Sequence, residues 1–211
     1  MQFYKTQNES FKGEGDFYYA SDLTKGGAKE YGVSTLSNFI PLYQKRKFKH
    51  FYELLKSDRP RHAYFDLDVK DREDLTPEEV FDSFRETYMR YQAFNDLPIS
   101  TDFRVSDSTT ANRDKISLHI IDKNVIWINW ADGDRESKKF FEYVDCDNSV
   151  YSKNRCMRMI GSSKFGQIRP FERASWHEDS KNAPIEDFFI QNLDKDVYIK
   201  TIKNKERKKF C

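Results

Sequence analysis

The sequence predicts a mixed α+β protein in which helices and strands alternate along one chain of 211 residues. Two kinds of pattern support this class. In some segments apolar and polar residues alternate, as in strands, and in others the apolar residues recur at helical spacing. The mean hydropathy is low, at -0.87, but aromatic residues make up 16 % of the chain, and disordered proteins lack them. We therefore expect a folded core under a heavily charged surface.

The clearest strand covers residues 61–69, and a helix follows it. In this strand the odd-numbered positions from 63 onward are apolar, whereas Asp66 and Asp68 lie on the opposite face. The helix begins after Thr76, which caps it, and Glu79 completes a capping box three residues later. A strand, a short connection and a helix are thus predicted in the first half of the chain.

Three further elements are predicted downstream. Residues 115–121 alternate again, which places Ser117 and His119 on the polar side of a second strand. A helix is expected at 135–143 and another strand at 155–160. Because helices and strands interleave in this way, the mixed class is preferred over an all-α or all-β protein.

No repeat, low-complexity tract or Pro/Gly linker divides the chain, so residues 1–195 are expected to form one domain and 196–211 a charged, exposed tail. The three cysteines form no CxxC pair, which indicates a reducing compartment and no zinc site. No apolar run reaches the ~20 residues of a membrane span and no signal-peptide core is present, so a soluble intracellular protein is expected. The formal net charge of +1 requires any nucleic-acid-binding face to be built from local basic clusters.

Asp66 and Asp68 are the first candidates for chemistry. Two carboxylates one residue apart on a strand point the same way, with Cβ atoms ~6–7 Å apart. Both can then reach one pair of hard cations, as two-metal phosphoryl transfer requires. The alternative interpretation is a strand whose polar face is simply in water.

Two more polar clusters follow in the chain. Ser117, His119 and the neighbouring Lys115 suit the phosphates and sugar of a nucleotide, although a solvated strand face is the simpler alternative. The third cluster starts at Asp147 and continues with basic residues around a polar Gly-Ser-Ser turn. Its basic residues are Lys153, Arg155, Arg158 and Lys164. An ordinary charged surface segment is the alternative here.

The order of these clusters resembles the archaeo-eukaryotic primase superfamily, and within it the PrimPol-like group. That family shows an hDhD/E strand, then an sxH strand, then a third aspartate followed by a VY…R…R…K segment. The matching residues are Tyr64-Phe65-Asp66-Leu67-Asp68, Ser117-Leu118-His119, and Asp147 followed by Val150-Tyr151, Arg155, Arg158 and Lys164. Shorter segments that also resemble the family are His50–Glu53, Lys25–Lys29 and Pro184–Phe188. The resemblance covers about residues 10–190.

The resemblance implies a DNA primase-polymerase that joins nucleotides on a single-stranded template. Two Mg²⁺ or Mn²⁺ ions would be held by three carboxylates, those of Asp66, Asp68 and Asp147. The incoming nucleotide would be bound by Lys29, Lys115, Ser117, His119, Arg155, Arg158 and Lys164, and Arg155 could instead face the template backbone. In this family a small N-terminal α/β module joins an RRM-like catalytic module, and the active site lies in the cleft between them.

The implied partners are a single-stranded DNA template, a primer, and NTPs or dNTPs. Template contact is expected through the basic stretch Lys45–Lys49 and the C-terminal tail, largely without regard to sequence. The motifs also resemble the primase domain of primase-helicases from large DNA viruses. In that case a helicase part would follow Cys211, and the protein would work at replication sites in the host cytoplasm.

Two other functions are compatible with parts of the pattern. A DxD glycosyltransferase also places paired carboxylates on a metal and a nucleotide diphosphate, but it needs neither the sxH strand nor the basic segment after Asp147. A non-catalytic RRM-type module would bind nucleic acid through exposed aromatic residues, whereas Asp66 and Asp68 would repel its phosphates. The sequence leaves open whether the enzyme starts new chains or only extends primers.

Overall fold

The computed structural model describes residues 1–140 and 146–209, apart from the side chains of Asn148 and 204–209. It confirms the α+β class, with two sheets and accompanying helices. The strands are β1 Phe3–Tyr4, β2 Phe17–Asp22, β3 Lys29–Ser34, β4 Phe51–Leu55, β5 Arg61–Lys70, β6 Phe103–Asp107, β7 Lys115–Trp127, β8 Arg155–Arg158 and β9 Glu172–Arg173. The helices are α1 Gln7–Ser10, α2 Leu36–Gln44, α3 Pro77–Phe94, α4 Trp130–Phe140, α5 Glu178–Lys181 and α6 Lys195–Lys209, with 3₁₀ turns at Asn148–Tyr151 and Ile185–Phe188.

The two sheets are interlocked along the chain. The first has the strand order β1-β3-β2-β4-β8, and the second has the order β5-β7-β6-β9. All pairs of neighbouring strands are antiparallel. Because β8 comes from the C-terminal half yet completes the sheet of the N-terminal strands, no single point in the chain separates the two sheets.

The second sheet buries one face against α3. The ring of Phe65 on β5 lies 4.9 Å from the ring centroid of Phe84 and 5.0 Å from that of Tyr88. Both hydrogen bonds of the predicted capping box at Thr76 are present at the start of this helix. Since the apolar side of β5 is committed to this core, the carboxylates of the same strand face the other way.

The first sheet packs an aromatic cluster under α2. Phe39 on this helix has its ring centroid 4.8 Å from that of Phe17 and 4.7 Å from that of Tyr19, both on β2. One turn later, the hydroxyl of Tyr43 lies 2.8 Å from Ser162 Oγ. The cluster therefore fixes the loop that follows β8, as well as the sheet itself.

A short segment near residue 190 joins the two sheets. Glu53 on β4 accepts hydrogen bonds from the backbone N–H groups of Ile190, at 2.9 Å, and Gln191, at 3.0 Å. On the second sheet, the N–H of His62 donates to the Ile190 carbonyl at 3.0 Å, and its Nε2 lies 3.0 Å from the carbonyl of Asn192. The segment thus ties β4 to β5.

Replacing Glu53 by alanine is expected to lower the free energy of unfolding by roughly 2–5 kcal/mol, because each buried donor left unpaired costs about 1–3 kcal/mol. Burial raises the pKa of Glu53 to about 7, so the folded state binds its proton more tightly than the unfolded state does. The stability of the unmodified protein should therefore fall, relative to the variant, as the pH rises from about 4.5 towards 7.

Thermal and urea unfolding across this pH range check the expectation. Glu86→Ala is the control, because this exposed carboxylate forms a salt bridge with Arg90 on the surface of α3. A Glu53→Ala variant as stable as this control would contradict the assigned role.

One helix begins earlier than predicted. α4 starts at Trp130, five residues before the predicted start. Asn129 explains the difference, since its side chain accepts from the Asp132 N–H at 3.0 Å, as an N-cap does. The end predicted for this helix, at residues 141–143, lies outside the described residues.

The segment predicted as an exposed tail is helical over most of its length. It forms α6, which contacts β7, and only residues 210–211 of the predicted tail lie outside the described part. Within the described ranges, no helix combines the length and the apolar composition needed to cross a membrane.

Candidate active site

The register of β5 and β7 brings the first two predicted clusters together. Asp66 is paired with His119, and Asp68 is paired with Ser117. Paired residues of neighbouring strands point to the same face of a sheet, so the four side chains share one surface. Lys115 lies at the end of this row, where its Nζ donates to Asp68 Oδ2 at 2.7 Å. Five of the predicted site residues are therefore neighbours.

The first sheet contributes Arg158 to the same site. This residue ends β8, and its register partner on β4 is Tyr52. His119, on the second sheet, lies near Arg158, because both the backbone and the charge of Arg158 act on the pKa of its imidazole. Burial lowers the pKa of Arg158, and the nearby carboxylates of Asp66 and Asp68 act in the opposite direction. Carboxylates from the second sheet and a guanidinium from the first thus border one region, which we call the cleft.

The two carboxylates of β5 have different environments. The side chain of Asp66 is 15 % exposed, and within the described part of the chain its Oδ1 has no hydrogen-bond donor. Burial, followed by the charges of Asp68 and Asp147, raises the pKa of Asp66 to about 7. Burial alone would also raise the pKa of Asp68, but hydrogen bonds from Lys115 and Ser117 lower it below its ordinary value.

The third predicted carboxylate lies next to β5. The backbone N–H of Asp147 donates to the carbonyl of Asp66 at 3.0 Å, so the two residues are adjacent in space. The side chain of Asp147, however, caps the following 3₁₀ turn by accepting from the Ser149 N–H at 2.8 Å. Among residues 1–140 and 146–209, no group of three or more His, Cys, Asp or Glu side chains is arranged to hold a metal ion.

Asp66 and Asp68 fit a hard cation by their chemistry. Carboxylate oxygens are the ligands that Mg²⁺ and Mn²⁺ prefer, and the unpartnered Oδ1 of Asp66 is a buried acceptor that a cation would satisfy. A cation would also relieve the repulsion between the two carboxylates. The role of Asp147 as a third ligand remains a prediction.

Several cations converge on this site from the loop after β8. Burial, together with the positive charges of Arg158 and Lys115, lowers the pKa of Lys164. Arg169 also acts on the pKa of Lys164, and so lies in the same electrostatic cluster. Nε and Nη1 of Arg158 have no acceptor among the described residues. Donors that converge in this way, without enough acceptors, are typical of a site for phosphate groups.

Phe171 supports both His119 and Arg158. Its ring stacks on the imidazole, with centroids 3.6 Å apart and an interplanar angle of 26°, and the guanidinium carbon lies 5.0 Å from the ring centroid. Phe171 is held by its backbone, whose carbonyl accepts from the N–H of Gly161 at 2.6 Å. Gly161 has φ of +77°, a conformation that favours glycine, which explains this residue in the turn.

The imidazole of His119 is kept neutral. It is buried, and burial followed by the charge of Arg158 holds its pKa well below the ordinary value. The ring of Phe171 stacks on this neutral imidazole and restricts its orientation. Its geometry is compatible with the predicted role as an orienting hydrogen-bond donor rather than a charged group.

Two predicted nucleotide-binding residues are not part of this cluster. Lys29 is ion-paired with Asp22, and its Nζ lies 4.0 Å above the ring of Tyr52, which places it at the side of the cleft. Arg155 lies three residues before Arg158 on the same strand, so the two side chains leave on opposite faces. The Nη2 of Arg155 is 3.4 Å from the hydroxyl of Ser149.

Arg169 and Phe171 are site residues that the sequence analysis missed. Arg169 continues the basic segment after β8, and extending that segment by five residues beyond Lys164 would have found it. Phe171 carries no local signal, since an isolated phenylalanine in a loop is usually a core residue.

No protein-family model matches the chain, and a search of curated proteins also finds no match. The chemistry of the cleft is therefore inferred from its own side chains.

Proposed function

We propose that the protein catalyses template-directed nucleotidyl transfer, joining nucleotides along a single-stranded DNA template as primase-polymerases do. The observation that supports the proposal is that carboxylates and a guanidinium border the same cleft. Oδ1 of the buried Asp66 has no hydrogen-bond donor in the described part of the chain, and Asp68 stands beside it. The guanidinium of Arg158 interacts with both carboxylates, and its Nε and Nη1 have no acceptor among the described residues. Metal-binding carboxylates opposite phosphate-binding cations are what transfer of a nucleotide from its triphosphate needs.

In this proposal the primer 3′-hydroxyl attacks the α-phosphorus of the nucleotide, and pyrophosphate leaves. When bound, two Mg²⁺ or Mn²⁺ ions would lower the pKa of the attacking hydroxyl and neutralise the charge on the leaving group. Asp66 and Asp68 would hold them. Arg158, Lys164 and Lys115 neutralise the triphosphate, and the neutral imidazole of His119 donates to it without competing for the proton of the hydroxyl.

The cost of burying Asp66 favours a catalytic role over a passive binding module. A buried, charged carboxylate without a hydrogen-bond partner destabilises the folded state, and an asparagine would avoid the cost of the charge. A module that only bound nucleic acid would gain nothing from a desolvated anion on its binding face, because phosphates are repelled by it. The products distinguish a glycosyltransferase from a polymerase, because a glycosyltransferase would transfer a sugar and its activity would not depend on a template.

The proposal is tested by incubating the purified protein with single-stranded DNA, with and without an annealed primer, in Mg²⁺ or Mn²⁺. NTPs and dNTPs are supplied separately. We expect primers to grow in at least one of these mixtures, and the mixture that works tells which sugar is preferred. If no nucleotide is incorporated in any of these mixtures, the proposal is contradicted.

Phe171 provides a prediction about positioning within this site. Phe171→Leu is expected to raise the KM for the nucleotide about five- to tenfold, since a stacked aromatic pair contributes ~1 kcal/mol. The kcat should change less, because Phe171 touches no reacting atom. Phe171→Tyr should restore the KM.

Phe188→Leu is the matched control, because this buried ring also lies under an arginine, Arg173, at 5.7 Å, but outside the cleft. Equal effects of the two leucine variants on KM would refute the role of Phe171.

A further inference from the structure

Three loops form one surface beside the cleft, which we call the basic loop surface. Its segments are residues 23–28, 44–50 and 161–169. The N–H of Ser163 donates to the carbonyl of Lys49 at 2.9 Å, which joins the second segment to the third. The first segment meets the third at Gly166, where a Cβ, if this residue had one, would lie 4.0 Å from Lys25 Cδ. The three loops therefore lie side by side.

The charge of this surface departs from that of the whole chain. The chain has 36 basic and 35 acidic residues, yet these three segments contain no aspartate or glutamate. Their basic residues are Lys25, Lys45, Arg46, Lys47, Lys49, Lys164 and Arg169. Arg46, Lys164 and Arg169 interact electrostatically with the carboxylates of Glu30, Asp68 and Asp114, respectively, all of which lie outside these loops. This is the kind of local basic cluster that a protein with a net charge of +1 needs in order to bind a polyanion.

Large apolar side chains stand exposed among these cations. Phe48 is 73 % exposed, Ile168 is 100 % exposed and Phe165 is 37 % exposed. The Nζ of Lys47 lies 5.6 Å from the ring centroid of Phe48, and the ring of Phe165 is 5.0 Å from that of His50. Aromatic rings interleaved with lysines suit a single strand, whose bases stack on the rings while its phosphates contact the ammonium groups.

The surface is continuous with the cleft. Lys164 belongs to the third loop and also to the electrostatic cluster that includes Arg158 and Lys115. A strand that crosses the loops would therefore arrive beside the carboxylates of β5. Duplex DNA would leave the rings without stacking partners, because its bases are already paired and stacked, so a single strand is the better fit.

We infer that the basic loop surface binds a single strand of nucleic acid and leads it into the cleft. Its phosphates contact Lys25, Lys45, Lys47 and Lys49, and its bases stack on Phe48 and Phe165. The inference rests on the proposed function for the identity of this strand as the template. The sequence predicted template contact through the basic stretch Lys45–Lys49. The inference adds residues 23–28 and 161–169 to this stretch, and it adds the stacking of bases on aromatic rings.

The inference is tested by the binding of a fluorescent oligothymidylate, measured by anisotropy without nucleotide or divalent metal. Phe48→Ala is expected to weaken binding about five- to 150-fold, the range of base–aromatic stacking. Phe94→Ala is the matched control, because Phe94 is 83 % exposed at the end of α3.

Lys47→Ala should reduce the slope of log K against log salt by about 0.7, whereas Lys138→Ala, on α4, should leave it unchanged. Thermal unfolding of these exposed-residue variants should match that of the unmodified protein.

The outcomes separate this inference from the proposed function. If Phe48→Ala and Phe94→Ala bind alike, the basic loop surface is not the strand site, even if the protein extends primers. If Phe48→Ala loses binding while the unmodified protein incorporates no nucleotide, the basic loop surface is supported as the strand site and the polymerase proposal fails. If polyglutamate or the matching duplex binds as tightly as the oligothymidylate, a single strand is not the specific ligand of this surface.

Discussion

Replacing Asp66 by asparagine is expected to abolish nucleotide incorporation and to leave the fold at least as stable as before. Asparagine has nearly the same shape but no charge, so it binds hard cations weakly. We expect incorporation to fall about a thousandfold or more, corresponding to ~4 kcal/mol of transition-state stabilisation. Without metal, the substitution removes a buried carboxylate whose pKa is raised to about 7 by burial and by neighbouring negative charges. The free energy of unfolding at alkaline pH should therefore rise.

Two measurements check this pair of effects. Incorporation is assayed with Mn²⁺, and thermal unfolding is followed with and without Mn²⁺. The metal should raise the Tm of the unmodified protein, since it binds only the folded state, and should raise that of Asp66→Asn much less. Asp82→Asn is the control, because this exposed carboxylate pairs with Arg85 on α3. An active Asp66→Asn variant, or equal metal-induced shifts in Tm, would contradict the assignment.

Replacing Arg158 by lysine is expected to lower kcat/KM about a hundredfold, which corresponds to ~2.7 kcal/mol. The loss should come mainly from KM, because the guanidinium binds the triphosphate in the ground state as well as in the transition state. Lysine keeps the positive charge but not the planar fork, which binds two phosphate oxygens at once. Nε and Nη1 of Arg158 have no acceptor among the described residues, so they are the donors that a phosphate would use.

Arg155→Lys is the matched control for this variant. It makes the same chemical change on the same strand, but on the opposite face from Arg158. We expect its kcat/KM to stay within about threefold of the unmodified value, because its side chain leaves the strand on the face opposite to that of Arg158. Equal losses in the two variants would mean that both arginines contact the nucleotide, contrary to their placement on opposite faces.

The parts of the fold that were predicted correctly depend on local patterns. Alternation along 61–69 placed Asp66 and Asp68 on one face, and a capping box located the start of α3 at Thr76. Neither feature needs information from distant residues, since side-chain period and capping are set by neighbours in the chain.

Features that depend on distant pairing could not be read from the sequence. β8 joins β4, and only this pairing brings Arg158 to the wall opposite Asp66 while directing Arg155 away. The stacking of Phe171 on His119 likewise joins two residues far apart in the chain. Glu53 was noted only for its resemblance to a family segment, and its buried hydrogen bonds to residues 190 and 191 have no local signal.

The most direct test of the central claim is the incorporation of a single nucleotide on templates that differ only in the base beyond the primer terminus. Each nucleotide is supplied alone, with Mn²⁺ or Mg²⁺, to the unmodified protein and to Asp66→Asn. We predict that only the complement of the template base is added efficiently, and that the addition depends on Asp66. Incorporation that ignores the template base, or no incorporation with any nucleotide and either metal, would contradict template-directed nucleotidyl transfer.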